Sequence, residues 1–176
     1  MKKFSIIVAI DNKRGIGREW KLCWHFSEDM KYFKNITSNV FNKSKRNALI
    51  MGRKTYESIP SKYKPLPKRL NCILSRKTKT NSIIKDKEDI SYFNSFDICL
   101  ESLNNTNNIE NIFLIGWWQL YNQFINHPQL DKIYITSIPG DYSCDAFFPE
   151  IGNNFKLSKT KKGKIVKSFN IYNKVK

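Results

Sequence analysis

The chain lacks the cysteine and histidine patterns of a metal site or of a disulfide framework. Its four cysteines are far apart in the sequence and include no Cys-x-x-Cys pair, and only two histidines accompany them. No apolar run approaches the length of a membrane-spanning helix. The apolar segment 4–10 leads into Asp11 without a small-residue cleavage site, so it predicts a buried strand and not a signal peptide. These absences predict a reduced, cytoplasmic protein without a bound metal.

Acidic residues are also scarce, because 15 Asp and Glu oppose 31 Lys and Arg and leave a formal net charge of +16. The segment 156–176 contains no acidic residue at all. Such a charge attracts anions: nucleic acid, an acidic membrane surface or a multiply charged small substrate. The lysines are scattered and follow no recognition motif, so we expect neither a membrane nor a specific nucleic acid as partner. A basic nucleic-acid-binding module stays open as an alternative.

Apolar residues are abundant, at 40% of the chain, which predicts one domain over residues 1–176 with a sizeable core. Short apolar runs alternate with amphipathic stretches. This succession predicts a single-domain, three-layer α/β sandwich: an eight-stranded, mostly parallel sheet with helices on both faces and a C-terminal antiparallel hairpin. The predicted strands are Phe4–Ile10, 47–52, 70–75, 83–85, 111–115, 132–138, Phe155–Lys162 and 164–173. The predicted helices are 27–37, 54–59, 95–103 and 117–125.

Two local expectations accompany this prediction. Ser27 is expected to cap the first helix with its side chain, since serine is favoured at that position. The stretch 84–111 is polar, so we expect it to be irregular and to hold the most variable loops.

The segment 112–121 is the most informative one, because an apolar strand runs through Gly116 into a predicted helix. Unpaired N–H groups and the positive end of the helix dipole favour a phosphate at such a junction, and glycine lets the backbone approach it. The two residues that follow are Trp117 and Trp118, with the bulkiest side chains available. The sequence therefore raises the question of whether this junction can bind a dinucleotide.

Several other strand ends carry side chains that suit a phosphate. Ligands of open α/β sheets bind at the carboxyl ends of the strands, so the segments 7–9, 52–55 and 75–77 should converge with Gly116 on one crevice. Arg53 and Arg76 would hold a 2′-phosphate by charge-assisted hydrogen bonds, with Ser75 as an added donor. The other interpretation is that these are ordinary exposed bases of a basic protein.

Asp29 lies in the first turn of the first predicted helix, close to Phe33. A carboxylate directed into an apolar cleft has a raised pKa and can exchange protons near neutral pH. An acid in a first helical turn is also commonplace, because it interacts favourably with the helix dipole. From spacing alone, both interpretations stay open.

An ordered series of motifs runs through nearly the whole chain. It comprises Ile6-Ile-Val-Ala-Ile10, Gly15-Ile-Gly17, Leu22-Cys-Trp24, Ser27-Glu-Asp-Met-Lys-Tyr-Phe-Lys34, Ile50-Met-Gly-Arg-Lys-Thr-Tyr-Glu-Ser-Ile59, Pro65-Leu-Pro-Lys-Arg69, Ile73-Leu-Ser-Arg76, Ile133-Tyr-Ile-Thr136 and Asp145-Ala-Phe-Phe-Pro149. In order and spacing, this series resembles the dihydrofolate reductase family. The resemblance implies hydride transfer from NADPH to 7,8-dihydrofolate, which gives tetrahydrofolate for one-carbon and thymidylate metabolism. It also implies a cytoplasmic protein that binds antifolates and is a monomer unless it was excised from a bifunctional chain.

The resemblance further implies roles for single residues. Asp29, supported by Thr136, would hydrogen-bond the pterin ring and promote protonation of the ring nitrogen beside the reducible bond. Trp24 would hold an ordered water there, Arg69 would bind the α-carboxylate of the substrate's glutamate, and the loop 15–24 would act as a lid. The implied catalytic residues are Asp29, Trp24, Leu22, Thr136 and Tyr121. The implied substrate-binding residues are Ile7, Val8, Ala9, Leu22, Phe33, Ile59, Leu66, Arg69 and Ile115. The implied NADPH-binding residues are Ala9, Ile16, Gly17, Gly52, Arg53, Lys54, Thr55, Leu74, Ser75, Arg76, Gly116, Trp117, Trp118, Gln119, Leu120 and Tyr121.

Three departures from the family pattern bear on function. Cys23 stands where the family usually has proline, and Lys68 stands where it has glycine. Trp117 and Trp118 replace a glycine run whose amides face the cofactor, so two indoles there would obstruct NADPH unless both rings turn outward. One alternative is therefore a folate-binding protein of this fold with impaired NADPH binding. Another is a pterin or pyrimidine reductase, as in riboflavin biosynthesis, which would not need Asp29 together with Arg69.

Overall fold

The structure is a computed structural model, and it describes residues 1–77, 81–84, 89–116 and 118–175. The strands are β1 (Phe4–Ile10), β2 (Gly15–Gly17), β3 (Arg46–Gly52), β4 (Arg69–Leu74), β5 (Ile90–Phe93), β6 (Ile109–Leu114), β7 (Leu130–Ser137), β8 (Ala146–Phe147), β9 (Phe155–Lys162) and β10 (Ser168–Lys174). The helices are α1 (Ser27–Ser38), α2 (Arg53–Ser58), α3 (Phe96–Asn104) and α4 (Trp118–Phe124), with a 3₁₀ turn at Ser61–Tyr63. Within these ranges, no helix is long and apolar enough to cross a membrane.

Eight strands form the main sheet, in the order β5-β4-β3-β6-β1-β7-β10-β9. The pairs from β5 to β7 are all parallel. Strand β10 is reversed and pairs antiparallel with both β7 and β9. The predicted eight-stranded, mostly parallel sheet with a C-terminal antiparallel hairpin is confirmed. A separate two-stranded sheet joins β2 to β8, and neither of these short strands was predicted.

Helices cover both faces of the main sheet. Side chains of neighbouring strand residues point to opposite faces, and both faces carry apolar side chains that the helices bury. Ile6 belongs to a buried cluster that includes Phe96 of α3 and Phe124 of α4. Ile7 belongs to a second cluster, on the other face, against which Phe33 of α1 packs. The predicted three layers are therefore confirmed. The second cluster also contains five of the residues implied in substrate binding.

The edge strand of the sheet lies later in the chain than predicted. The prediction of a strand at 83–85 is wrong for Ile83 and Ile84, which form no strand, and Lys85 lies outside the described residues. The strand at the parallel edge of the sheet, next to β4, is β5. Its short Ile-Ser-Tyr-Phe sequence contains a fully buried serine, Ser91, which weakens its apolar pattern. The expectation of an irregular stretch over 84–111 is also wrong, because that stretch holds β5, α3 and the start of β6.

Side-chain capping differs between the helices. The prediction that Ser27 caps α1 is wrong, because the extended residue before the helix is Phe26 and no side chain caps it. Glu28, in that first turn, binds a distant part of the backbone. Its carboxylate accepts hydrogen bonds from the N–H groups of Lys164, Ile165 and Val166. Glu28 thereby attaches the start of α1 to the turn between β9 and β10, which helps to place Asp29 over the sheet.

Candidate functional site

The carboxyl ends of the central parallel strands lie side by side at one edge of the sheet. Gly52 at the end of β3 is paired with Leu74 at the end of β4, and the Ile115 N–H donates to the Ile50 carbonyl at 2.9 Å. A Cβ placed on Gly116 would lie 3.3 Å from the Thr55 Oγ1. This register brings segments that are far apart in the sequence into one crevice.

Asp29 is a buried acid at this edge. Its first-turn position on α1 leaves it 8% exposed, and its carboxylate accepts a hydrogen bond from the Thr136 hydroxyl. Thr136 lies on β7 beside Ala9 of β1, so the acid sits over the end of the first strand. Burial raises the pKa of Asp29, and the hydrogen bond from Thr136 opposes that shift. Asp29 can therefore retain a proton at a higher pH than an exposed aspartate.

An apolar cluster adjoins the acid on the same face of the sheet. Its buried members on the strands include Ile7 and Ile115, and side chains from α1 and the loops pack against them. The cluster contains five residues implied in substrate binding: Ile7, Phe33, Ile59, Leu66 and Ile115.

Other implied residues lie elsewhere. Ala9 and Trp24 belong to a neighbouring cluster. Leu22 is 57% exposed. The Val8 side chain packs on the opposite face of the sheet, so any contact of Val8 with a substrate would be through its backbone. Ile16 also packs with that opposite cluster.

Arg69 is a buried cation at the far side of the apolar cluster. It is 2% exposed, its Nη1 donates to the Thr37 Oγ1 at 2.7 Å, and its Nε donates to the Pro67 carbonyl at 3.0 Å. The guanidinium carbon lies 5.9 Å from the centroid of the Phe33 ring. Arg69 forms no salt bridge in the part of the chain that the structure describes. Burial lowers its pKa, and a carboxylate supplied from outside would offset that cost.

Two polar residues that the sequence did not single out position this side of the crevice. Asn71, fully buried in β4, accepts the Leu66 N–H and donates back to the Leu66 carbonyl, both at 3.0 Å. The Thr37 hydroxyl donates to the Phe33 carbonyl at 2.7 Å while accepting from Arg69. An asparagine in the middle of a buried strand was the available signal, since such a residue needs partners.

Tyr121 joins α4 to the first strand. Its side chain is 2% exposed, and its hydroxyl accepts the Gly116 N–H at 2.9 Å and donates to the Ile7 carbonyl at 3.2 Å. The expectation that this junction offers unpaired N–H groups is therefore wrong for Gly116. The Tyr121 hydroxyl accepts the hydrogen bond of that N–H group, so the Gly116 amide is already paired. Gly116 itself has a φ of +152°, a conformation that favours glycine.

The basic side chains at the strand ends differ in how they are engaged. Arg53 pairs with Glu57, one turn along α2, at 2.6 Å. The Lys54 Nζ lies 3.9 Å from the centroid of the Trp20 ring, a cation–π contact. Arg76 is exposed and forms no salt bridge among the described residues, and the Ser75 Oγ beside it accepts the Lys77 N–H at 3.3 Å. Arg76 is therefore more available to an anion than Arg53 or Lys54.

The loop 14–24 has a defined conformation and reaches the strand-end residue Lys54 through the Trp20 ring. Its Gly17 carbonyl accepts the Asp145 N–H at 3.1 Å, and the Asp145 carboxylate accepts the Glu19 N–H at 3.0 Å. Glu19 and Trp20 both have positive φ values, at +49° and +65°. The buried indole N–H of Trp24, at the end of the loop, has no hydrogen-bond partner among the described residues. No group of three or more His, Cys, Asp or Glu side chains in those residues is arranged to hold a metal ion.

Comparison with known proteins identifies the family. A family model described as dihydrofolate reductase matches residues 3–174. The chain belongs to the dihydrofolate reductase family. The resemblance stated from the motifs is confirmed.

Curated members of the dihydrofolate reductase family cover most of the chain. The dihydrofolate reductase of Aedes albopictus is 39% identical over 162 residues, which are 90% of this chain and 86% of that protein. That of Drosophila melanogaster is 33% identical over 89% of this chain and 84% of its own length. The bifunctional dihydrofolate reductase-thymidylate synthase of Daucus carota is 38% identical over 84% of this chain. The matched part is only 28% of that longer protein.

Two departures from the dihydrofolate reductase pattern have a visible structural setting. Lys68 stands where the family has glycine, and its φ is +63°. This is the left-handed region, which glycine adopts without strain and which is uncommon for a residue with a side chain. Trp118 opens α4 and is 40% exposed, and its carbonyl accepts the Asn122 Nδ2 at 2.9 Å. Trp117 lies outside the described residues. Of the implied cofactor residues next to it, Gln119 is exposed and Leu120 is half-buried near Gly52.

Proposed function

We propose that this protein is an NADPH-dependent dihydrofolate reductase that converts 7,8-dihydrofolate into tetrahydrofolate. One observation carries the proposal: a buried acid and a buried, unneutralised arginine lie at two sides of one apolar cluster. Asp29 is paired with Thr136 on one side, and Arg69 is held by Thr37 on the other. Dihydrofolate has a polar, flat ring at one end, an apolar middle and a glutamate at the other, which matches this order.

The substrate would lie with its pterin ring at Asp29 and its glutamate at Arg69. The apolar side chains of Ile7, Phe33 and Leu66 would contact the ring system between them, which removes water from both faces. Arg69 offers a planar guanidinium for the α-carboxylate, and two hydrogen bonds already fix its orientation. Binding would neutralise a cation that is costly to bury alone.

Asp29 would manage the proton that accompanies reduction. Hydride arrives at a carbon whose neighbouring nitrogen should be protonated, so a nearby group with a raised pKa assists. Burial supplies that shift, and the Thr136 hydroxyl keeps the carboxyl group oriented toward the sheet. The loop 14–24, held through Asp145, would exclude water during the step.

The residues at the strand ends fit a phosphorylated dinucleotide. NADPH, when bound, supplies the hydride. Arg76 and Ser75 would bind the 2′-phosphate, and Thr55 would approach a phosphate beside Gly116, where a Cβ would fill the space. Tyr121 would hold Gly116 in place through its amide, so this chain's own contacts shape the nicotinamide side.

The test is the oxidation of NADPH by the purified chain, followed by absorbance at 340 nm with and without dihydrofolate. We expect oxidation only when dihydrofolate is present, and inhibition of it by an antifolate such as methotrexate. If both ligands bind and no NADPH is consumed, the proposal is wrong.

A second candidate function is folate binding with impaired NADPH binding. Trp118 at the start of α4 and the engagement of Arg53 by Glu57 favour it. Titration of NADPH while tryptophan fluorescence is followed separates the two candidates, since failure to bind at saturating NADPH leaves only the second. Trp117→Gly and Trp118→Gly then locate the obstruction. Because Trp118 is 40% exposed, we expect its replacement to change NADPH affinity less than that of Trp117.

Two further functions are less well supported. A pyrimidine reductase of this fold would not need Asp29 and Arg69 together, and competition between an antifolate and a ribosylated pyrimidine tests it. A nucleic-acid-binding module would use the exposed lysines of β9. Its affinity for nucleic acid would fall steeply with added salt, and folate would not compete with the nucleic acid for binding. We also infer a cytoplasmic monomer, unless the chain is part of a longer bifunctional protein like the Daucus carota relative.

A further inference from the structure

Two cysteines that are remote in the sequence lie side by side, one in the loop 14–24 and the other in the segment next to Asp145. The Sγ atoms of Cys23 and Cys144 are 3.9 Å apart, although 121 residues separate them. Both side chains are half-buried, whereas Cys72 and Cys99 are completely buried. An oxidant can therefore reach the first pair and not the second.

The surroundings hold Cys144 in a fixed place. Its Sγ lies 3.6 Å from the Asp11 Oδ2, and Asp11 is itself held by the N–H groups of Gly15, at 2.7 Å, and Tyr142, at 3.2 Å. A Cβ on Gly15 would lie 2.6 Å from the Cys144 Sγ, so the sulfur packs directly against the backbone of the loop. Cys23 lies between Leu22 and Trp24 in that same loop.

We propose that Cys23 and Cys144 are an oxidative modification site, at which a small disulfide such as oxidised glutathione converts the two thiols into a disulfide. The bond would attach the loop 14–24 to the segment that carries Asp145. Disulfide sulfurs are about 2 Å apart, so the two side chains need to approach by about 2 Å, a distance that side-chain rotation in a surface loop can supply.

The exchange proceeds in two steps. The Cys23 thiolate attacks one sulfur of the oxidised glutathione, and the first glutathione leaves as a thiolate. The Cys144 sulfur then gives up its proton to solvent and attacks the Cys23 sulfur, and the second glutathione leaves as a thiolate. The protein loses two electrons and two protons, and the oxidant becomes two glutathione thiols once solvent returns the protons.

The order of attack follows from the environment of Cys144. Burial, the hydrogen bond with Cys23 and repulsion from nearby negative charge raise the pKa of Cys144 to about 12. The thiol form of Cys144 therefore predominates, and Cys23 makes the first attack.

The bond would reinforce contacts that the loop already makes. Asp145, next to Cys144, donates its N–H to the Gly17 carbonyl and accepts the Glu19 N–H. A covalent link beside these hydrogen bonds would keep the loop closed over the crevice. The consequence for turnover rests on the proposed function, because a closed loop slows exchange of substrate and product. The modification site itself does not rest on it.

The first test maps the bond without any activity assay. The full chain is incubated with oxidised glutathione or with dithiothreitol, alkylated and digested without reduction. We expect a single cross-linked peptide pair, Cys23 with Cys144, while Cys72 and Cys99 are alkylated only after unfolding. Cys23→Ser and Cys144→Ser each abolish the link. Four unlinked thiols, a link between other cysteines or a glutathione adduct that never resolves would each overturn the proposal.

The second test measures the loop. Hydrogen exchange of residues 14–24 is compared in the oxidised and reduced protein, with Cys144→Ser as the matched control that keeps Cys23. We expect slower exchange after oxidation in the wild-type chain alone, and a several-fold lower turnover that dithiothreitol restores. Unchanged exchange in the fully cross-linked protein would overturn the attachment of the loop. Lack of turnover in the reduced protein would contradict the proposed function only.

Discussion

The proposed substrate side of the crevice, with Asp29 and Arg69, and the proposed cofactor side, with Arg53, Lys54 and Arg76, are built differently. On the substrate side, Asp29 and Arg69 are both buried and each has a fixed side-chain partner, Thr136 or Thr37. On the cofactor side, the bases are exposed, and Arg53 is paired within its own helix. One side is preorganised by packing, and the other presents exposed charges at strand ends.

The difference indicates where this chain tolerates change. A buried charge needs its partners, so a substitution on the substrate side leaves an unpaired group in an apolar setting. An exposed arginine or lysine is solvated and can be replaced with little effect on folding. In the sequence, Trp117 and Trp118 stand where the family has a glycine run that the resemblance assigns to cofactor binding. On the substrate side, Asp29, Phe33 and Arg69 all match the family pattern.

The largest effect is expected from Asp29→Asn, which keeps the shape of the side chain and removes its acid–base chemistry. Loss of a proton-handling group lowers kcat/KM by about 10²–10⁴-fold. Glu28→Gln is the matched control in the same helical turn, since Glu28 binds the backbone at Lys164–Val166. Steady-state kinetics with NADPH and dihydrofolate measure both variants. Equal losses in the two would show that the first turn of α1 matters only for structure.

Arg69→Lys should weaken substrate binding by about 10–100-fold, because hydrogen bonds to a charged group contribute about 1.5–3 kcal/mol and lysine cannot reproduce the planar guanidinium. The rise should appear in KM for dihydrofolate, with kcat nearly unchanged. A dihydropteroate substrate, which lacks the glutamate, is the control and should bind both forms alike. If the variant also loses affinity for that substrate, Arg69 acts through the fold and not through the carboxylate.

A smaller effect, roughly tenfold in the Kd for NADPH, is expected from Arg76→Gln, because the arginine is exposed and solvent screens its charge. Arg53→Gln should raise the Kd for NADPH by a smaller factor, since Arg53 is already paired with Glu57. Fluorescence titrations with NADPH and NADH compare the variants, and neither substitution should alter NADH binding. A greater loss for Arg53 than for Arg76 would reverse the assignment of the 2′-phosphate.

The smallest effect concerns the pH dependence of stability. Burial raises the pKa of Asp29 above its ordinary value of 3.8. Between the unfolded pKa and the higher folded pKa, the folded state therefore binds more protons than the unfolded state. The stabilising contribution is complete below the unfolded pKa and is lost as pH rises through the folded pKa. Urea unfolding from pH 3.5 upward should therefore show the wild-type chain losing stability relative to Asp29→Asn. A relative gain with rising pH would contradict the raised pKa.

Much of the fold followed from local pattern. The apolar run 4–10 identified β1 to the residue, and the position of Gly163 between two flanking segments identified β9 to the residue. The four predicted helices match the observed ones within one residue at each end. The motif series indicated the family because its order and spacing are carried in the sequence itself. β5 was missed because its four residues include the buried Ser91, whose pairing with Cys72 in β4 has no local signature.

The site depended on pairs that no local pattern reveals. Sequence alone determined which residues could carry charge, roughly where the central parallel strands lie and which family the chain resembles. The family resemblance already implied that Thr136 supports Asp29. Only the tertiary structure decided that Tyr121 takes the Gly116 amide and that Cys23 meets Cys144. The physical reason is that each of these contacts is made across the sheet or between loops, where register and packing, and not chain neighbours, set the distance.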